Sequence, residues 1–78
     1  IEDCIADGDI VVVEARETAN NGETVVALVE GSSATLKRYY REGAVIRLQP
    51  ANSAMAPMRF KETDVRVQGV VVGLLRTF

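Results

Sequence analysis

Lys37 is the residue in this chain best placed to do chemistry. It stands in Ala34-Thr35-Leu36-Lys37-Arg38-Tyr39-Tyr40, a β-branched and aromatic stretch that reads as a strand. An ammonium pointing to water on such a strand is ordinary. One pointing to the apolar side is disfavoured by burial, and the neutral amine that replaces it is a base. Strand alternation sets Thr35, Lys37 and Tyr39 on one face and Leu36, Arg38 and Tyr40 on the other. Composition alone favours a solvated lysine; its Thr and Tyr neighbours point to partial desolvation.

The competing residues offer less. There is no His, so Cys4 has no imidazole to activate it and reads as a structural thiol. Glu2, Asp3, Asp7, Asp9 and Glu14 form an acidic cluster. Their spacing is not that of an EF-hand loop, Gly8 is accounted for by turn geometry, and Asp7 and Asp9 read as caps of turn amides. No metal and no cofactor are expected. Lys37, Arg38, Arg41 and Arg47 give a basic rim, which on an edge strand discourages pairing with other chains.

The elements that position these residues form at most one small domain. At 78 residues, a single core is only marginally stabilising. The composition is globular, with 47% hydrophobic and 26% charged residues. A net charge of −2 argues against this segment alone binding nucleic acid. One Cys excludes an internal disulfide and fits a reducing compartment. No apolar run approaches the ~18 residues of a membrane span, and no signal peptide is seen. The chain begins at Ile1 in mid-pattern and reads as a fragment.

Turn signals divide the chain. Ala6-Asp7-Gly8-Asp9 precedes Ile10-Val11-Val12-Val13, an apolar run expected to be a buried strand. Asn20-Asn21-Gly22-Glu23 leads into Thr24–Val29. Glu30-Gly31-Ser32-Ser33 turns into the Lys37 strand, which pairs as a hairpin with Ala44–Leu48, Gly43 supplying the positive φ. Pro50–Pro57 is irregular, Met58-Arg59-Phe60 a short strand and Lys61–Asp64 turn-like. Val65–Leu75 is a long strand interrupted by Gly69 and Gly73, positions that mark a bulge or a close backbone approach. Being apolar on both faces, it belongs in the core or pairs with another chain at an edge. Turns every 8 to 12 residues without helical periodicity predict an all-β fold, a small partly open sandwich or barrel.

These blocks resemble the LexA/UmuD-like Ser-Lys autopeptidase family, and within it the C-terminal domain of LexA-type repressors. The resemblance runs through Ile1-Glu2-Asp3 followed by Ile5-Ala6-Asp7-Gly8-Asp9-Ile10-Val11-Val12-Val13, then Asn21–Val29, Ala34–Gly43, Ile46-Arg47-Leu48-Gln49-Pro50-Ala51-Asn52 and Val67–Arg76, in order and nearly end to end. Any one block is weak; five in register are specific.

The resemblance implies the function. Lys37 takes the place of the family's general base. The nucleophilic serine belongs to a Ser-Met pair just before the segment that begins here at Ile1. That pair is not within these 78 residues, and Ser32, Ser33 and Ser53 do not match it. The fragment is therefore read as a peptidase domain lacking half its dyad, truncated at its N-terminus and expected to be inactive alone. Also implied are intramolecular cleavage stimulated by the RecA filament on single-stranded DNA, operator binding through an N-terminal domain only, and cytoplasmic location without membrane contact. A homodimer interface is placed at Val67, Gln68, Gly69, Val70, Val71, Val72, Gly73 and Leu74. Leu36 and residues of Val25–Leu28 are expected to wall the Lys37 site. The alternatives are a phage repressor, a UmuD-like polymerase accessory protein, or a non-catalytic β interaction module.

Overall fold

The computed structural model describes residues 10–31, 34–50 and 54–75. They form a six-stranded antiparallel sheet, and no α-helix occurs among the described residues. The strands are β1 (Ile10–Glu14), β2 (Thr24–Val29), β3 (Thr35–Glu42), β4 (Val45–Gln49), β5 (Met58–Lys61) and β6 (Val65–Leu75). Their order across the sheet is β1-β6-β2-β3-β4-β5. The sheet is not closed: β1 and β5 are its edges. The all-β, partly open architecture read from the sequence is therefore the one observed.

Strands β2 to β5 form a meander, and the turns in and beside it follow local residue chemistry. At Asn20–Glu23, Gly22 takes a φ of 92°, and the Glu23 carboxylate accepts the Asn20 amide at 2.7 Å. Between β3 and β4, Gly43 takes a φ of 67°, as expected for the tight connection. The polar Glu62–Asp64 segment forms a short 3-10 turn into β6.

One face of the sheet carries the core. Val25, Ala27 and Val29 of β2, Tyr39 of β3, Ile46 and Leu48 of β4, and Val67 and Val70 of β6 are buried together. Each set alternates along its strand, the period-2 signature of a half-buried sheet. The exception is the step from Val67 to Val70, where the register shifts at Gln68 opposite Val26 and Ala27. This bulge lies beside Gly69. A Cβ on Gly69 would stand 2.5 Å from Val13 Cγ1 and 3.0 Å from the Glu14 carbonyl oxygen, so β1 can approach only because the side chain is missing. The expected link between strand glycine and close approach holds here. A second shift lies between Val12 and Val13, beside Gly73.

One expectation changes and one open choice is resolved. β1 is not buried: Ile10 is 54% exposed, Val12 43% and Val13 44%. The run is apolar enough for a core strand, yet β1 lies at the sheet edge and no described element covers it. β6 is an interior strand rather than an edge, but in halves. Residues Val65–Val70 pair with β2, and Val70–Leu75 pair with β1 on the opposite side. Along Val71–Leu75, no described strand pairs with the flank away from β1.

Candidate active site

Lys37 lies on the core face. It is directly opposite Val25, which is fully buried, and in antiparallel pairing directly opposed side chains share a face. Val25 in turn opposes Val70, which is 1% exposed. The lysine side chain is half-buried, at the open end of this apolar row. The solvated-edge reading of Lys37 is thereby displaced: β3 is an interior strand, and the amine emerges on the side where the core is built.

The amine is held by its own strand. Lys37 Nζ donates to Thr35 Oγ1 at 2.7 Å and lies 3.4 Å from the Leu36 carbonyl oxygen. Thr35 faces Ala27, another fully buried residue. Among the described residues, no carboxylate forms an ion pair with Lys37. The arrangement thus orients a half-buried amine through a hydroxyl and a carbonyl.

The expected walls need correction. Val25 and Ala27 do line this side, but Leu36 does not: it pairs with Val26 and shares the opposite face of the sheet with it. Leu28 also belongs to that opposite face, since alternation separates it from Ala27 and Val29. Thr35 was expected on this face as a desolvating neighbour, and the structure makes it the acceptor of the amine's hydrogen bond instead. The signal was available, because residues two apart on a strand share a face.

Other candidates are not assembled here. Cys4, Glu2, Asp3, Asp7 and Asp9 lie outside the described residues, as do Ser32, Ser33 and Ser53. Glu14 is described, and its carboxylate approaches Arg16 at 3.3 Å. Arg16 also reaches Glu23 at 3.4 Å, yet its Nε, near Glu14, is not aligned for a hydrogen bond. Among the described residues, no group of His, Cys, Asp or Glu side chains is arranged to hold a metal. An open groove of about 1320 Å³ is floored by Tyr39, Ile46 and Val67 and rimmed by Arg16, Arg41 and Glu62. It does not include Lys37 or Thr35, so its size is no guide to the chemistry.

Of the predicted interface, Val67 and Val70 are inside the chain's own core. Gln68, Val72 and Leu74 are exposed, Val72 at 54%.

The sheet thus presents a half-buried, hydroxyl-held lysine on its core face. The Peptidase S24-like family profile matches residues 1–72, and the chain belongs to that family. Its relatives include the LexA repressor of Koribacter versatilis, 57% identical over 74 residues, which cover 95% of this chain and 35% of that protein. The LexA repressor of Zymomonas mobilis is 50% identical over 74 residues, covering 95% of this chain and 34% of its own. That of Syntrophobacter fumaroxidans is 50% identical over all 78 residues, 37% of its length. The chain spans about a third of the length of the curated relatives it matches.

Proposed function

We propose that this chain is part of the C-terminal autopeptidase and dimerisation domain of a LexA-type SOS repressor, with Lys37 as general base. The observation that carries the reading is the half-buried Lys37 amine, held by Thr35 and free of any carboxylate among the described residues. In the longer protein, the nucleophilic serine comes from the segment preceding Ile1. A neutral Lys37 takes the serine proton as the hydroxyl oxygen attacks the scissile carbonyl, and returns it to the leaving amine. A substrate loop closing over the open end of the Val70–Val25–Lys37 row excludes water and favours the neutral amine. Regulation then acts on loop closure, and the RecA filament on single-stranded DNA is the partner that promotes it. The chemistry calls for no metal or cofactor.

Dimerisation is assigned to the second half of β6. Val71–Leu75 has an unpaired flank among the described residues, beside exposed Val72 and Leu74. Operator DNA is bound by a separate N-terminal domain, and the repressor acts in the cytoplasm.

The test is self-cleavage in the full-length protein. Lys37→Ala is expected to abolish cleavage at alkaline pH while leaving operator binding intact. Cleavage that persists in this variant removes the assignment.

A further inference from the structure

The sheet face opposite the core is chemically uneven. On β3, β4 and β5 it carries Arg38, Arg47, Arg59 and Lys61, with Glu42 as the one carboxylate on these three strands' outer positions. This concentration is unexpected in a chain of net charge −2. Glu42 does not neutralise it. Arg47 Nε donates to Glu42 Oε2 at 2.9 Å and Arg59 Nε to Oε1 at 3.1 Å, so two guanidiniums share one carboxylate. Those hydrogen bonds, first from Arg47 and then from Arg59, hold the Glu42 carboxyl below its ordinary range. Arg47 also lies 4.2 Å over the Tyr40 ring and donates to Gln49. The guanidinium planes are therefore fixed in place before any partner arrives.

The basic face ends at a strand that is an edge among the described residues. β5 pairs only with β4 among the described residues, which leaves the N–H and C=O groups of its other side unmatched. Its side chains alternate in chemistry as well as direction. Arg59 and Lys61 point to the basic face, while Met58 and Phe60 oppose Leu48 and Ile46 on the core face. Met58 is 45% exposed. Lysine on an edge strand ordinarily prevents pairing, but that function needs neither the pre-oriented Arg47–Glu42–Arg59 cluster behind it nor an exposed methionine beside it.

We propose that β5 is a docking edge for an extended acidic segment of a partner protein, which adds as a seventh strand. Its residues opposite Arg59 and Lys61 are Asp or Glu; the intervening ones are apolar and cover Met58 and Phe60. Backbone pairing supplies the register and the carboxylates supply the selectivity. A nucleic acid fits less well, because it cannot complete the β5 ladder or cover the apolar side chains. The four residues of β5 permit only a short ladder, so binding is weak and salt-sensitive.

The test uses the full-length protein and a fluorescein-labelled twelve-residue peptide alternating Glu and Val. Saturable anisotropy binding at low salt is expected. It should fall at least tenfold with Arg59→Glu plus Lys61→Glu, and also with Arg59→Gln plus Lys61→Gln, which disturbs the fold less. N-methylating alternate peptide amides, so that the strand cannot pair, should abolish it. Three outcomes overturn the proposal: no saturable binding, binding unchanged in both variant pairs, or a single-stranded oligonucleotide displacing the peptide from the same residues. The self-cleavage assay reads Lys37 instead, so either result stands without the other.

Discussion

The Lys37–Thr35 pair is the smallest unit of the proposed chemistry. A flexible lysine has many rotamers, and a base that wanders abstracts protons poorly. The 2.7 Å hydrogen bond to Thr35 selects one of them. Thr35→Val keeps the shape and removes the acceptor. Loss of one hydrogen bond to a chargeable group is expected to slow self-cleavage by roughly ten- to a hundredfold. Thr35→Ser should restore most of it. Comparing the pH–rate profiles of the two variants separates positioning from stability, since a purely structural defect would leave the profile's position unchanged. At this scale much was legible in the sequence: period-2 alternation alone joins Thr35 to Lys37. The same rule excludes the Leu36 side chain from the site, though its carbonyl takes part, and assigning it as a wall set nearness in sequence above direction. The Val25 partnership was not fixed locally, because register belongs to two strands at once.

At the scale of elements, the glycine in β6 decides whether the first strand can join the sheet. Gly69→Ala puts a methyl group 2.5 Å from Val13 Cγ1 and 3.0 Å from a backbone oxygen. The side chain can turn away; the backbone cannot. A loss of about 1–3 kcal/mol is expected by urea denaturation, and Gly69→Ala with Val13→Ala should recover only part of it. Recovery of the whole loss would locate the conflict in Val13 alone. The existence and limits of the strands were readable from turn residues such as Gly22 and Gly43, since those are local conformational requirements. Burial of β1 was not. Ile10–Val13 looks like core because its composition is apolar, yet exposure depends on which elements stand beside it, and the neighbour that matters, β6, comes 50 residues later.

For the whole molecule, the two sheet edges are chemically unlike. The β1 side, with the second half of β6, is apolar; the β5 side is basic. The apolar end is suited to a second copy, because a two-fold axis there matches like with like. Val72→Glu combined with Leu74→Glu is expected to shift the full-length protein from dimer to monomer in sedimentation velocity. It should leave self-cleavage intact, since the proposed step is intramolecular. A dimer undisturbed by both charges would place the seam elsewhere.

The position of β6 between β1 and β2 also has a temporal side. Synthesis runs from the N-terminus, so the meander of β2 to β5 emerges while the strand that flanks β2 does not yet exist. At about 5–20 residues per second, the wait lasts on the order of a few seconds. Throughout it, β2 offers the ribosome exit a vacant ladder shaped for one particular sequence. On a crowded polysome, the nearest finished copy of that sequence belongs to the chain ahead. Until its own β6 arrives, β2 is thus open to the β6 of a neighbouring nascent chain, and prompt synthesis of β6 shortens that exposure.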